Sequence, residues 1–198
     1  MQKTSSLILA SISASRKAML TGAGVRFGAT ASGVDEAALK SRLSGPPEAL
    51  AAALALAKAE AVSARHPAAL VIGGDQLLVC GGKIYDKPRD MAEAATHLRS
   101  LSGQTHQLVT AVCLVQGGAR VWAHEEKAHL SMRGFSEEFL QAYLAAEGTE
   151  ILHCVGAYRL EGLGAQLFTR VEGDYFTVLG LPLLALLGAL RARGALAA

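Results

Sequence analysis

The sequence is poor in cysteine and in aromatic residues. Its three cysteines, Cys80, Cys113 and Cys154, are widely spaced, and no C-x-x-C pair occurs. That usage argues against a secreted disulfide framework and against a cysteine zinc site, and it fits the reducing cytoplasm. Aromatic residues make up 5% of the chain, whereas 51% of it is hydrophobic, mostly alanine, leucine and valine. This composition suits helices packed on a sheet.

Long hydrophobic segments are also missing. Before Arg16 the only continuous apolar run is residues 7–10, which is shorter than the roughly 7 to 15 residues of a signal-peptide core. The longest apolar stretch, residues 178–190, contains Pro182. It is too short to cross a bilayer, so a buried terminal helix is predicted there. We therefore expect a cytoplasmic protein that is not exported and has no membrane partner.

A strong excess of either charge is likewise absent. The 19 basic and 17 acidic residues are interspersed, and the formal net charge is +2. The chain therefore has no basic stripe for nucleic acid, and any anionic ligand should be small. No repeat or linker interrupts residues 1–198, so we predict a single domain, long enough to bury about 70% of its unfolded surface.

Several familiar catalytic signatures do not occur. The absence of G-x-S-x-G and of G-x-x-x-x-G-K-[ST] excludes a nucleophile elbow and a P-loop. His124 and His129 lie five residues apart on a predicted strand, so they face opposite sides and cannot hold one metal ion. The other histidines are scattered, which disfavours a histidine zinc site.

Apolar runs and turn residues predict an α/β fold with a mixed sheet. Glycine pairs at Gly81-Gly82 and Gly117-Gly118 predict two hairpins, which require antiparallel neighbours. The predicted strands cover residues 7–10, 69–73, 76–80, 83–85, 106–115 and 119–130. The predicted helices cover residues 16–22, 49–64, 90–100, 139–146 and the segment after Pro182, with Asp90 and Ser136 as caps.

The turn after the first strand is a candidate phosphate cradle. It places Ser11, Ser13 and Ser15 together with Arg16 and Lys17 at the start of a helix. Helix N-termini offer free N–H groups and a favourable dipole to anions. The competing interpretation is an ordinary serine cap.

Three acidic residues are candidate metal ligands. Asp35, Glu36 and Asp75 lie near predicted strand or loop ends, and carboxylate oxygens are the ligands that Mg²⁺ or Mn²⁺ prefers. Asp75 is unusual because apolar runs flank it on both sides, at the point where two strands are predicted to meet. A carboxylate buried there needs a partner or a metal. Solvation in a loop remains the alternative for Asp35 and Glu36.

Lys87 is a candidate cation of the same region. It follows the hairpin that Asp75 opens, so the strand geometry could return it towards that carboxylate. A surface lysine in a polar turn is the alternative.

The order of these pieces resembles the Maf family of nucleotide pyrophosphatases over the whole chain. The opening LILASISASRK of residues 7–17 is similar to the family's L-I-L-A-S-x-S-P-x-R-R, with Ala14 in place of a common proline and Lys17 in place of the second arginine. Lysine cannot bind phosphate in the two-pronged way of arginine. The remaining matching segments are VDE at residues 34–36, IGGDQ at 72–76 with Lys87-Pro88, LSGQTH at 101–106 with Thr110, GAY at 156–158, EG at 161–162, EG at 172–173 and VLGLP at 178–182.

The resemblance implies a fold like that of the inosine triphosphate pyrophosphatases. In that fold a long curved mixed sheet is flanked by helices around a central substrate cleft, commonly in a homodimer. The implied reaction is metal-dependent hydrolysis of a nucleoside triphosphate to a monophosphate and pyrophosphate, with Mg²⁺ or Mn²⁺. The implied roles are catalysis for Asp75, Glu36, Lys58 and Lys87, metal binding for Glu36 and Asp75, and phosphate binding for Ser11, Ser13, Arg16 and Lys17.

Three further residues are candidates for recognition of the nucleotide base. Branches of the family differ at the positions of Ser15, Gln76 and Glu161, and the last two resemble the branch acting on 7-methyl-GTP. Guanine presents adjacent N–H donors that a carboxylate accepts together, and methylation at N7 makes the base cationic. At the position of Ser15 that branch tends to have an aromatic residue, so Ser15 differs from it. The alternative is that Glu161 is an acidic residue of a turn and does not contact the substrate.

Other functions stay open at this stage. They are a dTTP or UTP pyrophosphatase of the same family, a phosphatase of other phosphoanhydrides that releases orthophosphate, and a non-catalytic nucleotide-binding regulator of cell division.

Overall fold

The computed structural model describes residues 6–197, whose contacts divide into two compact units. The first unit comprises the chain up to Asp75, Thr110–Glu126 and the chain from Tyr175 onward. The second comprises Gln76–Val109 and Lys127–Asp174. The single domain over residues 1–198 stays a prediction.

The elements alternate between strand and helix for most of the chain. In order they are β1 (Leu7–Leu9), α1 (Ala14–Gly22), β2 (Gly28–Ala29), α2 (Glu36–Arg42), α3 (Pro47–Arg65), β3 (Leu70–Cys80), β4 (Lys83–Tyr85), α4 (Met91–Leu101), β5 (Thr105–Gln116), β6 (Ala119–Met132), α5 (Glu137–Glu147), β7 (Phe168–Glu172), α6 (Tyr175–Val178) and α7 (Leu183–Ala192). Short 3-10 helices at Gly148–His153, Val155–Ala157 and Leu163–Leu167 lie between α5 and β7.

The sheet is mixed, as the sequence predicts. Within residues 6–197 it has seven strands in the order β2-β1-β3-β5-β6-β7, with β4 paired to β3. β1 runs parallel to β2 and β3, whereas the β3–β4 and β6–β7 pairs are antiparallel. The mixed α/β class is therefore confirmed, and so is the hairpin at Gly81-Gly82, where Cys80 pairs with Lys83. The curvature of the sheet and the central cleft stay predictions.

One boundary in the sequence interpretation is wrong. Asp75 does not lie where two strands meet, because β3 runs unbroken through Gly73, Gly74 and Asp75. Both glycines are buried, so they mark close approach of neighbouring groups instead of a break in the strand. The sequence interpretation also missed α2, β2, β7 and α6, which are short elements without an extended apolar pattern.

The core of the first unit lies where β1, β3 and β5 meet helices α1 and α7. From β3, Leu70 and Ile72 point into this cluster. Their spacing of two along the strand puts them on one face of the sheet. The other buried members are Leu7, Leu9, Met19, Leu20, Val25, Val112, Leu114, Leu181, Leu183, Leu186, Ala189 and Leu190.

Helix α3 packs unusually close to β3. Its buried residues recur at intervals of three and four, which defines one helix face. They include Ala51, Leu54, Ala55, Lys58, Ala59 and Val62. Gly73 lies beneath this face, because a methyl group on Gly73 would lie 2.2 Å from the carbonyl oxygen of Ala55 and 2.7 Å from Cβ of Ala59. Since residues two apart on a strand share a face, Asp75 also lies on the α3 side.

Helices of the second unit begin at the predicted caps. Asp90 Oδ1 accepts a hydrogen bond from Glu93 N at 2.8 Å, and Ser136 Oγ accepts one from Phe139 N at 3.2 Å. Helix α4 packs against α5 and against the 3-10 helices at Gly148–His153 and Val155–Ala157. His106 is buried and its Nε2 shares a 2.7 Å hydrogen bond with the Tyr158 hydroxyl. Burial lowers the pKa of His106 to about 4, so it is a neutral core residue at physiological pH.

Residues 6–197 contain no helix that is both long enough and apolar enough to cross a bilayer.

We expect Gly73→Ala to destabilise the first unit. The added methyl group would force α3 away from β3, and overpacking of this kind costs about 1–3 kcal/mol. Denaturant unfolding checks this, with Gly28→Ala as the matched control, because a methyl group on the β2 residue Gly28 meets no atom within 4 Å. Equal free energies of unfolding for the two variants would contradict the close approach.

Candidate active site

The serine-rich turn between β1 and α1 is held by its own hydroxyl groups. Ser13 caps α1 and accepts a hydrogen bond from Arg16 N at 3.5 Å. Its own N–H donates to Ser11 Oγ at 3.2 Å, and its Oγ lies 3.1 Å from Ser15 Oγ. Lys17 is exposed on the first turn of the helix. The turn thus presents a helix N-terminus with hydroxyls and a cation beside it, which is an arrangement that can bind phosphate.

Arg16 is buried and joins three segments of the first unit. Its Nε donates to the carbonyl of Gly180 at 2.7 Å, and its Nη1 donates to the carbonyl of Gly74 at 2.9 Å and to Ser11 Oγ at 3.4 Å. Burial lowers its pKa, while Asp75 and Glu36 act in the opposite direction. Arg16 therefore supports the backbone next to Asp75 as well as adding positive charge.

A lysine links two carboxylates at the centre of this unit. Lys58 Nζ lies 2.6 Å from Asp75 Oδ1 and 2.8 Å from Glu36 Oε1. The fold explains the contact, since Lys58 lies on the buried face of α3, between Ala55 and Ala59, which pack over Gly73. Glu36 begins α2 and its side chain is 45% exposed, whereas that of Asp75 is only 7% exposed.

Burial dominates the ionisation of Asp75. Desolvation raises its pKa, the positive charges of Lys58 and Arg16 and the Lys58 hydrogen bond lower it, and Glu36 raises it again. The net direction is upward. A carboxylate with a raised pKa accepts a proton more readily and is further stabilised by any additional cation.

Glu36 and Asp75 fit part of a magnesium or manganese site. Both offer carboxylate oxygens, and the raised pKa of Asp75 indicates that Lys58 and Arg16 do not fully compensate its charge. Mg²⁺ is commonly bound by one or two carboxylates, with water and substrate phosphates as the other ligands. Residues 6–197 contain no group of three or more His, Cys, Asp or Glu side chains that could hold a metal on its own.

Asp35, the third acidic candidate, has a structural role. It is the N-cap of α2, and its Oδ1 accepts a hydrogen bond from Ala38 N at 2.9 Å. The pattern Val34-Asp35-Glu36 therefore contributes one cap and one carboxylate that contacts Lys58.

Three candidates belong to the second unit. Gln76 is half-buried on β3, Lys87 is exposed after β4, and Glu161 is exposed in the turn before the last 3-10 helix. Lys87 and Glu161 both act electrostatically on the thiol of Cys154. Burial raises the pKa of that thiol to about 11, Glu161 raises it as well, and Lys87 lowers it. The fold thus brings these two charged residues, distant in sequence, near the same thiol.

Sequence reasoning missed a buried ion pair beside these residues. Glu147 Oε2 accepts a hydrogen bond from Arg159 Nε at 2.8 Å and forms an ion pair with Arg159 Nη2 at 2.7 Å. The Glu147 side chain is 1% exposed. An acid at the end of a helix and an arginine in a loop carry no local signal that they pair, so no pattern in the sequence could have found this contact.

Comparisons with known proteins cover nearly the whole chain. The model of the family described as Maf-like protein matches residues 6–193. A 7-methyl-GTP pyrophosphatase of Rhizobium etli is 49% identical, over 96% of this chain and 98% of that protein. A nucleoside triphosphate pyrophosphatase of Granulibacter bethesdensis is 51% identical, over 96% and 98%. A 7-methyl-GTP pyrophosphatase of Rhizobium meliloti is 50% identical, over 96% and 97%.

We expect the free energy of unfolding of Asp75→Asn to depend less on pH than that of the wild type. Because the pKa of Asp75 is raised in the folded protein, the unfolded chain loses this proton first as the pH rises. The free energy of unfolding therefore falls as the pH rises from the unfolded to the folded pKa, by about 1.4 kcal/mol for each pH unit between them. Asparagine has no such loss, so the free energy of unfolding of the variant relative to that of the wild type should fall as the pH is lowered towards 4. Urea unfolding over this pH range checks it, and a variant that is equally destabilised at every pH would contradict it.

Proposed function

Because the chain belongs to the family of Maf-like proteins, we propose that it is a nucleoside triphosphate pyrophosphatase. It would cleave the bond between the α-phosphorus and the oxygen that bridges to the β-phosphorus, releasing a nucleoside monophosphate and pyrophosphate. The observation that carries the proposal is the Lys58 ammonium held between Asp75 and Glu36. Relatives about half identical over nearly their full length bear the same activity in their names.

Asp75 is proposed as the residue that activates water. Its carboxylate accepts a proton from a water molecule whose oxygen attacks the α-phosphorus, while the pyrophosphate leaves with the electrons of the broken bond. The upward direction of its pKa supports this role, because a more basic carboxylate takes a proton more readily. Lys58 orients Asp75 through the 2.6 Å contact and limits the rise of its pKa.

Glu36 and Asp75 are proposed to hold Mg²⁺ or Mn²⁺. The bound ion would supply charge neutralisation at the phosphate oxygens and Lewis-acid activation of water. Glu36 suits this role because its side chain is half exposed while one of its oxygens is anchored by Lys58.

The cations are proposed to balance the charge of the leaving group. Phosphoryl transfer depends on positioning and electrostatics more than on covalent steps. In the first unit, Lys17 and the N-terminus of α1 suit phosphate binding, with Ser11 and Ser13 shaping the turn. Arg16 is proposed to contribute partly by holding neighbouring segments in place, because its Nε and Nη1 already donate hydrogen bonds to protein oxygens. The role of Lys87 rests on the family resemblance.

The base is proposed to be guanine methylated at N7. Glu161 would accept the adjacent N–H donors of guanine and be attracted to the cationic ring, and uracil or thymine offers no such pair of donors. Gln76 and Ser15 are proposed as further specificity positions on the strength of the family resemblance. Several relatives bear the name 7-methyl-GTP pyrophosphatase, which supports this choice. A homodimer is proposed as well, and sedimentation equilibrium checks it.

The deciding experiment is incubation of the purified protein with a panel of nucleoside triphosphates and Mn²⁺ or Mg²⁺, followed by identification of the products. We expect monophosphate and pyrophosphate in equal amounts, and no turnover after chelation of the metal. Release of orthophosphate would indicate a different phosphatase. No turnover of any nucleotide would favour a binding protein.

We expect Asp75→Asn to abolish pyrophosphate release without unfolding the protein. Base and metal roles are typically worth about 100-fold or more, so the variant should retain well under a tenth of the wild-type rate. Circular dichroism confirms the fold, and Asp35→Asn serves as the control because Asp35 caps α2. Retention of more than about a tenth of the activity would make the assignment wrong.

We expect Glu161→Gln to reduce the preference for 7-methyl-GTP over UTP and dTTP. Loss of a charged hydrogen-bond pair is worth about 1 to 3 kcal/mol, which should appear in the ratio of kcat/KM values. If the wild type itself turns over UTP or dTTP with the higher kcat/KM, the role of Glu161 is wrong and the general pyrophosphatase activity stands without it.

A further inference from the structure

The ion pair between Glu147 and Arg159 lies at the start of the turn that carries Glu161. Glu147 is the last residue of α5, and its side chain is almost wholly buried. Two nitrogens of Arg159 lie close to its Oε2, Nη2 at 2.7 Å and Nε at 2.8 Å. Such a two-pronged contact fixes the plane of the guanidinium as well as its distance. The side chain of Arg159 is therefore oriented by the end of a helix.

The backbone of Arg159 is held as firmly as its side chain. Its carbonyl accepts a hydrogen bond from Gly162 N at 3.1 Å, which closes the turn around Glu161. The same carbonyl would lie 2.4 Å from a methyl group on Gly164, so the chain packs against it closely. The turn around Glu161 is thus built on Arg159.

The second oxygen of Glu147 faces the same turn. Oε1 is buried and has no hydrogen-bond partner, and a methyl group on Gly162 would lie 3.4 Å from it. A buried carboxylate oxygen without a hydrogen-bond partner is destabilising. Packing of α5 alone would be served better by an apolar side chain, so the carboxylate has a use beyond filling space.

The electrostatic surroundings connect this pair to Glu161. The Cys154 thiol is influenced by Glu161, Lys87, Arg159 and Glu147 together. Arg159 is itself influenced by both glutamates. Arg159 therefore pairs with a buried carboxylate, Glu147, and is within electrostatic range of an exposed one, Glu161.

We propose that Glu147 and Arg159 are positioning residues for base recognition, which fix the turn of residues 160–162 and thereby the carboxylate of Glu161. Neither residue touches the substrate in this role. This role rests on the proposed function, because it supports the selectivity that Glu161 is proposed to provide.

The test is the kinetics of Glu147→Gln with 7-methyl-GTP and with UTP. Glutamine keeps the size of the side chain but loses its charge, and Arg159, whose side chain is 36% exposed, can turn to water. We expect the preference for 7-methyl-GTP to fall about tenfold, because a displaced Glu161 carboxylate loses part of its charged hydrogen bonding to the base. The loss should appear as a higher KM for 7-methyl-GTP at unchanged kcat, because base contacts act on ground and transition state alike.

Glu137→Gln is the matched control. Glu137 begins the same helix α5 and makes the same kind of pair with Arg99, at 2.6 Å, but on the surface. This variant should keep the wild-type preference. If Glu147→Gln fails to fold, Arg159→Lys takes its place, since lysine keeps the charge but not the two-pronged geometry. The expected result is then a smaller loss of preference in the same direction.

Three results would overturn the proposal, and each has a different meaning. If Glu161→Gln reduces the preference but Glu147→Gln does not, Glu161 is positioned without the ion pair. If Glu161→Gln also leaves the preference unchanged, the base-reading role fails and the positioning role fails with it. An equal fall of kcat for every substrate would reveal a general loosening of the fold, which also contradicts a role in base recognition.

Discussion

The first unit depends on one buried contact, the ion pair between Lys58 and Asp75. Taking both charges out of water is costly, and the attraction between them offsets that cost only with good geometry and further partners. The fold supplies these partners, with Glu36 on the same ammonium and Arg16 within electrostatic range of Asp75. An apolar pair would pack at least as well, so the persistence of charge here is better explained by chemistry than by stability.

Arg16 links that chemistry to three parts of the chain. It lies in the first turn of α1, reaches the strand beside Asp75 through Gly74, and reaches the segment before α7 through Gly180. The proposed phosphate-binding loop and the carboxylate proposed to activate water must be held in a fixed relation, because small displacements reduce rates sharply. A buried guanidinium with donors in several directions meets this need better than lysine, which is a flexible point charge.

Much of the fold could be predicted from local signals. Asp90 and Ser136 marked helix starts, and the glycine pairs marked turns, because caps and turns are chosen by residues within a few positions of each other. Asp75 stood out as a charge between apolar runs, Lys58 was indicated by the family resemblance, and that resemblance is confirmed. What failed depends on distant neighbours. The continuity of β3 through two glycines requires α3 above it, and the pairing of Glu147 with Arg159 requires the tertiary fold.

The absence of a side chain at Gly73 limits which substitutions the fold can accommodate. A larger residue there would meet the backbone oxygen of Ala55, not only a side chain. Substitution elsewhere on α3 cannot remove a backbone atom, so no second-site replacement on the helix would restore the fit, and the helix as a whole would have to shift and carry Lys58 with it. The absence of a side chain at residue 73 thus sets the distance between the charges of residues 58 and 75, although Gly73 itself carries no functional group.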